Sequence, residues 1–205
     1  MEKIKKVIIY SNDRDGIDLE YKKNLINNLN KKKFKIIIIL TNIYDKNSSQ
    51  AKRIIDSYDN NSEIIFLENL TKNILIRLIY KYLDSSNPLL IKKILKKIIL
   101  YLKIFSKSEI INNFNILLNN SKYYAFLASN NQNTFFDVIE KKIFRILEKS
   151  KIPFIGTPIM GWPVNYHKKF NKFDYFITNT LSDKIKLKKK KINSIFFGCI
   201  SFDLS

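Results

Sequence analysis

Two short apolar runs constrain the fold of this chain more than any other feature. Residues 6–12 (Lys-Val-Ile-Ile-Tyr-Ser-Asn) and residues 34–42 (Phe-Lys-Ile-Ile-Ile-Ile-Leu-Thr-Asn) are rich in β-branched side chains and end in small polar residues. This pattern is typical of strands that are buried on both faces of a parallel sheet. The residues between them are long enough for one helix, with an apolar stripe formed by Leu25, Ile26 and Leu29. The beginning of the chain therefore predicts a β-α-β unit.

The rest of the chain repeats this alternation of strand and helix. We predict further strands at residues 62–67, 123–128, 152–156, 173–178 and 194–198. We predict helices between them at residues 51–58, 69–83, 88–106, 109–119, 135–149 and 180–189. In the second of these helices, Leu70, Ile74 and Leu75 are expected on the apolar face.

The chain contains no internal repeat and no linker rich in Gly, Pro or Ser. Residues 1–205 are therefore predicted to form a single domain. Its fold class is α/β, with a doubly wound, mostly parallel, Rossmann-like sheet of about seven strands flanked by helices.

The formal net charge of +19 raises the question of nucleic-acid binding. Only four of the 37 basic residues are Arg, the residue best suited to bidentate recognition of bases and phosphates. Lys is spread along nearly every predicted helix, and Lys, Asn and Ile are the residues that an A+T-rich genome over-uses. We therefore interpret the charge as solvated lysine faces and do not expect a nucleic-acid partner.

The cysteine content and hydropathy indicate a cellular compartment. Cys199 is the only cysteine, so an internal disulfide framework is excluded and a reducing compartment is favoured. No run of about 18 apolar residues predicts a transmembrane helix, and the first residues do not resemble a signal peptide. We expect a cytoplasmic protein.

The predicted helix at residues 88–106 has a wide apolar face and a basic face that carries Lys92, Lys93, Lys96 and Lys97. Two interpretations remain open. A basic amphipathic helix can lie on an anionic membrane surface, which would make the protein peripheral at the inner face of the membrane. Alternatively, it is an ordinary helix that packs on the sheet.

In open parallel sheets, ligands bind beyond the carboxyl ends of the strands, which directs attention to the loop after the first strand. This loop, residues 11–16, contains Ser11, Asn12, Asp13, Arg14, Asp15 and Gly16. Either Asp13 or Asp15 could act as a general base for an acceptor hydroxyl, or both could be turn formers with Gly16. A single Gly makes neither a dinucleotide fingerprint nor a P-loop.

Later loops at the same predicted edge offer further candidates. Ser129 and Asn130 begin a run of neutral hydrogen-bonding side chains that suits a sugar, or that forms a polar loop before the next helix. Residues 156–163 hold two Gly, two Pro and the only Trp, which indicates a shaped loop. There Trp162, next to Gly161, could stack on a sugar ring or anchor the loop from inside.

Three more positions complete the candidates. Thr157 and Asn179 follow predicted strands at the same edge. His167 is the only histidine and titrates near neutrality, but the sequence assigns it no catalytic partner. We find no metal-ligand spacing and expect neither a metal nor a cofactor.

Four segments, taken in order, resemble the N-terminal, acceptor-side domain of GT-B fold glycosyltransferases, similar to the glycosyltransferase family 4 type. Residues 6–38 resemble its first strand, Gly-containing loop, first helix and second strand. The segments Ile-Pro-Phe-Ile-Gly-Thr, Phe-Asp-Tyr-Phe-Ile-Thr-Asn-Thr and Ile-Phe-Phe-Gly-Cys-Ile resemble three later motifs, at residues 152–157, 173–180 and 195–200.

The chain also departs from that family. The first loop has one Gly where the family has a pair, and Pro158, Ile159 and Met160 stand where the family often has a His. The second domain of the family, which binds the nucleotide-sugar donor, is expected to be absent from residues 1–205.

The resemblance implies a glycosyltransferase half that binds a sugar or lipid-linked acceptor in cell-surface polysaccharide or glycolipid biosynthesis. Transfer from a nucleotide-sugar would then need a donor-binding domain or partner chain, and the isolated chain is expected to be inactive. Combined with strand order, it implies an acceptor wall made of Asn12, Arg14, Gly16, Ser129, Asn130, Thr157, Gly161, Trp162 and Asn179. The alternative is a non-enzymatic α/β binding or regulatory module, which would associate with another protein and bind no sugar.

Overall fold

The computed structural model describes residues 5–11, 19, 22–40, 58, 62–77, 94, 98, 109–129, 137–157 and 173–196. These residues contain a seven-stranded sheet in which every neighbouring pair of strands is parallel. Its strands are β1 (Lys5–Ser11), β2 (Phe34–Leu40), β3 (Ser62–Phe66), β4 (Tyr123–Ser129), β5 (Phe154–Thr157), β6 (Tyr175–Thr178) and β7 (Ser194–Phe196). Their order across the sheet is β3-β2-β1-β4-β5-β6-β7. The predicted α/β fold with a parallel sheet of seven strands is confirmed.

Helices flank the sheet between these strands. The four longest in the described ranges are α1 (Lys23–Lys31), α2 (Glu109–Asn119), α3 (Asp137–Ser150) and α4 (Leu181–Lys189). A 3-10 helix, Leu67–Leu70, follows β3, and residues 74–77 form one helical turn. The predictions for α2, α3 and α4 are confirmed. The predicted helices at residues 51–58 and 88–106 lie outside the described residues, except for Tyr58, Ile94 and Ile98.

The two faces of the sheet are covered by different helices. In β1, Val7 contributes to one apolar cluster and Ile8 to the other, as expected for alternating side chains of a strand buried on both faces. Helix α1 covers the first face with Ile26, while α2, α3 and α4 cover the second. The chain moves from β1 to β3 in one direction and from β4 to β7 in the other, so the strand order reverses between β1 and β4. Such a reversal opens a crevice at the carboxyl ends of the strands.

A row of aromatic rings fills the core on the second face. The ring centroids of Tyr10 and Phe126 are 6.1 Å apart, and those of Phe126 and Phe154 are 5.5 Å apart. The row continues from Phe154 to Phe173 at 4.4 Å and from Phe173 to Phe176 at 5.7 Å. These contacts connect β1, β4, β5 and β6 across the core.

One predicted apolar face is wrong in the segment after β3. Ile74 and Leu75 were expected to be buried, but they are 71% and 65% exposed. The physical reason is a new helix start: the Asn73 side-chain oxygen accepts a hydrogen bond from Ile76 N at 3.2 Å. Because the preceding 3-10 helix ends at Leu70, this turn does not share the register of one continuous helix.

Candidate functional site

Small polar residues end four neighbouring strands at the carboxyl edge of the sheet. These residues are Ser11, Ser129, Thr157 and Thr178, which end β1, β4, β5 and β6. Ser11, Thr157 and Thr178 are fully buried. Ser129 pairs directly with Thr157, and the pairing of Tyr10 with Ala128 brings Ser11 to the same level. The switch point between β1 and β4 therefore opens onto polar strand ends rather than apolar ones.

Asn179, which follows β6, has an unusual hydrogen-bonding state. Its side-chain oxygen and nitrogen are both buried, and neither has a hydrogen-bond partner among the described residues. By contrast, the neighbouring Thr178 hydroxyl donates to Ile195 O at 3.3 Å. An unsatisfied buried polar group costs about 1–3 kcal/mol, and an Asn amide can both donate and accept. The Asn179 amide is thus available to a partner that also both donates and accepts, such as a sugar hydroxyl.

The first turn of α4 lies next to Asn179 and is internally capped. The Thr180 hydroxyl accepts from Asp183 N at 3.0 Å and donates to Asp183 Oδ2 at 2.9 Å. Asp183 is only 5% exposed, and Lys186 Nζ lies 3.9 Å from its other oxygen. Because the positive end of the helix dipole is already used by this carboxylate, the turn favours a neutral ligand over a phosphate.

The structure brings some of the predicted site residues together. Ser129, Thr157 and Asn179 all lie at the carboxyl edge, on or directly after β4, β5 and β6. The other predicted site residues lie outside the described residues: Asn12, Asp13, Arg14, Asp15, Gly16, Lys92, Lys93, Lys96, Lys97, Asn130, Gly161, Trp162 and His167. Ser11 and Thr178, small polar residues that end β1 and β6 after an apolar run, also belong to this edge.

Two negative findings apply to the described ranges only. No cluster of His, Cys, Asp and Glu side chains there could hold a metal ion. None of the helices found there has the length and apolar character needed to cross a membrane.

A cleft of about 610 Å³ lies at the opposite, amino edge of the sheet. It is lined by residues at the carboxyl ends of α3 and α4 and the starts of β5, β6 and β7: Leu147, Glu148, Lys151, Ile152, Pro153, Phe154, Phe173, Asp174, Tyr175, Lys191, Ile192 and Asn193. Its floor is held by structural bonds, because Asp174 Oδ2 accepts from Phe154 N at 2.7 Å and Asn193 Nδ2 donates to Asp174 O at 3.3 Å. We therefore do not place the functional site there, despite its volume.

Both helices that border this cleft end with Lys in the left-handed region. Lys151 has φ 57° and Lys191 has φ 60°. After α4, Lys191 N donates to Lys188 O at 2.9 Å and Ile192 N donates to Leu187 O at 3.0 Å. This is the Schellman arrangement, in which Gly is the usual left-handed residue.

A hydrogen-bonded clamp joins the segment after β3 to α2. One carboxylate oxygen of Glu109 accepts from Thr71 Oγ1 at 2.7 Å and from Lys72 N at 2.9 Å. Arg77 Nε donates to Thr71 O at 2.8 Å. The hydrogen bond from Thr71, followed by that from the Lys72 backbone, lowers the pKa of Glu109. Glu109 thus stays ionised and has a structural role, not that of a general acid.

Tyr123 also has a shifted pKa. Burial raises the pKa of its hydroxyl, which donates to Leu117 O at 3.1 Å. Tyr123 begins β4 and therefore lies at the amino edge of the sheet, away from the candidate site.

No protein family and no curated protein matches this chain by sequence. Its structure is similar to that of TcCGT1 in complex with UDP, with a TM-score of 0.57, 9% sequence identity, and coverage of 97% of this chain and 51% of TcCGT1. It is also similar to Phytolacca americana UGT2 complexed with UDP-2fluoro-glucose and pterostilbene, with a TM-score of 0.56, 9% identity, and coverage of 98% of this chain and 55% of that protein. The chain therefore spans about half the length of these solved structures. At this identity the similarity concerns the fold alone: the chain has a Rossmann-like α/β fold like that found in GT-B glycosyltransferases.

Proposed function

We propose that this chain is the acceptor-binding half of a glycosyltransferase that acts in cell-surface polysaccharide or glycolipid biosynthesis. The observation that carries the proposal is the buried, unpartnered amide of Asn179 at the carboxyl edge of the sheet. An acceptor with several hydroxyl groups offers the donors and acceptors that this amide lacks. The fold supports the proposal, because its strand order reverses beside the same edge.

The proposed role is to hold the acceptor hydroxyl and remove its proton. In sugar transfer, the acceptor oxygen forms a bond to the anomeric carbon of the donor while the bond to the nucleotide breaks. The proposed general base is Asp13 or Asp15, with His167 as the other candidate. The proposed acceptor contacts are Asn12, Arg14, Gly16, Ser129, Asn130, Thr157, Gly161, Trp162 and Asn179.

The donor would be bound elsewhere, by a second domain or a partner chain. Both similar structures contain UDP or a UDP-sugar and are about twice as long as the region that this chain matches. The turn beside Asn179 disfavours phosphate, since Asp183 already occupies the amino end of α4. We therefore propose that residues 1–205, as a single acceptor domain, bind a nucleotide-sugar poorly and transfer no sugar alone.

The proposed location is the cytoplasm, peripheral at the inner face of the membrane. There the acceptor would be a sugar or a lipid-linked saccharide. Lys92, Lys93, Lys96 and Lys97 are proposed to face anionic lipid head groups, because these attract lysine side chains near the membrane surface.

Acceptor binding can be tested with the full chain by isothermal titration calorimetry. The probes are short cell-envelope oligosaccharides, UDP and UDP-glucose. We expect the chain to bind an oligosaccharide but to bind neither UDP compound measurably. Asn179→Ala should weaken oligosaccharide binding by about tenfold, the effect of losing about 1.4 kcal/mol of hydrogen bonding.

The matched control is Asn193→Ala, which removes another side-chain amide, at the amino edge. This variant should bind oligosaccharides like the wild type. Tight binding of UDP-glucose without oligosaccharide binding would overturn the assignment to the acceptor half. Failure to bind any saccharide, together with stable association with another protein, would instead support the regulatory module.

A further inference from the structure

The connection between β3 and α2 exposes apolar side chains in two pairs. Ile74 and Leu75 are 71% and 65% exposed, and Ile94 and Ile98 are 52% and 46% exposed. Single exposed aliphatic residues are common on protein surfaces. Leu181 and Ile185 on α4 are exposed in the same way, at 58% and 49%, but the connection between β3 and α2 carries two such pairs.

The first pair is held in its exposed position by the clamp between β3 and α2. Asn73 N donates to Thr71 Oγ1 at 3.1 Å, and the Asn73 side chain caps the turn that contains Ile74 and Leu75. The Thr71 hydroxyl in turn donates to Glu109. Since the start of the turn is bonded to its surroundings, the exposure of Ile74 and Leu75 is a built feature of the fold.

The second pair is arranged for joint contact with one surface. Ile94 and Ile98 are both helical and lie four residues apart, a spacing that places two side chains on the same side of a helix. In the sequence, each of the two follows directly after a pair of lysines. A sequence in which each isoleucine follows two lysines suits a bilayer with anionic head groups, where apolar burial and electrostatic attraction act together.

The position of the first pair determines which side of the protein would face the bilayer. Strand β3 ends at Phe66, so the segment that follows it begins at the carboxyl edge of the sheet. Glu109, which is bonded to that segment, begins α2, and α2 leads back toward the amino end of β4. Ile74 and Leu75 therefore lie at the edge that also carries Asn179.

We infer that Ile74, Leu75, Ile94 and Ile98 form an apolar anchor that inserts into an anionic bilayer and turns the carboxyl edge of the sheet toward it. The inference rests on the proposed function for its setting, because a lipid-linked acceptor would then reach the candidate site from the membrane. The anchor would add apolar burial to the membrane binding of the protein. Salt does not weaken this burial, whereas it screens the electrostatic attraction of the lysines.

Sedimentation with liposomes tests this anchor in the absence of any sugar. The vesicles contain phosphatidylcholine alone or phosphatidylcholine with phosphatidylglycerol, at low and high salt. The full chain should bind only the anionic vesicles and retain part of that binding at high salt. The double variants Ile74→Ser/Leu75→Ser and Ile94→Ser/Ile98→Ser should each lower the high-salt partition coefficient by at least about tenfold.

The matched control is Ile116→Ser/Ile195→Ser, which changes two apolar residues that are 52% and 48% exposed on α2 and β7. It should bind vesicles like the wild type, and circular dichroism should show the same fold for all variants. An equal loss in the control, or no loss in the anchor variants, would overturn the inference. So would a wild-type chain that binds neither vesicle, even where oligosaccharide binding persists and the proposed function stands.

Discussion

The cleft at the amino edge and the Asn179 amide at the carboxyl edge differ in how their polar groups are satisfied. At the amino edge, Asp174 and Asn193 bond to the backbone inside the cleft that they line. At the carboxyl edge, the polar atoms of Asn179 are buried without a partner among the described residues. The hydrogen bonds described at the amino-edge cleft are therefore structural, whereas the Asn179 amide at the carboxyl edge makes none within the described ranges.

This difference is the reason why we place the proposed function at the Asn179 amide rather than in the cleft at the amino edge. An unsatisfied buried amide lowers the stability of the fold unless a ligand or water completes it. The same strands and helices form both edges, but because the sheet is parallel, each edge receives the opposite ends of the helices. The carboxyl edge receives the amino ends of helices, such as α4, whereas the amino edge receives their carboxyl ends.

The largest change in stability is expected from Gly156→Ala, near the carboxyl end of β5. A Cβ at Gly156 would lie 2.7 Å from Phe176 Cε2 and 3.0 Å from Phe173 Cδ1. Because the rings are fixed in the aromatic row, the added methyl group overpacks the core beneath Thr157. We expect the free energy of unfolding to fall by about 3 kcal/mol, measured by urea denaturation.

The cause of this loss can be checked by a compensating change. Phe176→Leu removes the ring atoms that the new methyl group would contact, so the double variant with Gly156→Ala should lose less stability than the sum of the two single variants. A change in stability of less than about 0.5 kcal/mol for Gly156→Ala alone is within the range of a surface substitution. That result would contradict the close packing of Gly156 against Phe176.

Sequence patterns predicted most of the sheet, since fully buried parallel strands need continuous apolar residues. Strands β1, β2 and β4 are confirmed on that basis, and the bounds of α2 match the prediction. The predicted starts of β5 and β6 are two residues early, because apolar composition does not separate burial from strand pairing. Phe173, for example, is 9% exposed and packs on Phe154, but it precedes the paired residues of β6.

The candidate site was only partly accessible to prediction from the sequence. A polar residue after each apolar run located Thr157 and Asn179, because strand ends converge in a parallel sheet. The burial of the Asn179 amide depends on packing across several elements, which no local pattern encodes. The exposure of Ile74 was also not predictable from a local pattern, because it follows from a cap at Asn73 rather than from helical periodicity.

A smaller effect is expected at the amino edge from Asp174→Ala. This variant removes the carboxylate that accepts from Phe154 N at 2.7 Å. The free energy of unfolding should fall by about 1–2 kcal/mol, the cost of an unpaired backbone N–H. Oligosaccharide binding, measured by calorimetry, should not change because Asp174 precedes β6 at the far edge.

Asp174→Asn is the control for this change, since it keeps a side-chain oxygen that can accept from Phe154 N. It should retain most of the wild-type stability. The comparison of the two edges would be reversed if Asp174→Ala weakened oligosaccharide binding more than Asn179→Ala does.

The smallest expected effect is a gain in stability from Lys191→Gly, also at the amino edge. Lys191 has φ 60°, a conformation that costs a non-Gly residue about 1–2 kcal/mol. Glycine removes this strain but loses more backbone entropy on folding, which offsets about 0.4–1 kcal/mol. The free energy of unfolding in urea should therefore rise by about 0.5–1 kcal/mol.

Lys190→Gly is the matched control: its φ is −92°, so the same mutation relieves no strain there and should lower stability. If Lys191→Gly also lowers stability, or if it weakens oligosaccharide binding, the Lys191 side chain does more than close the end of α4. The amino-edge cleft would then have to be considered as a binding site.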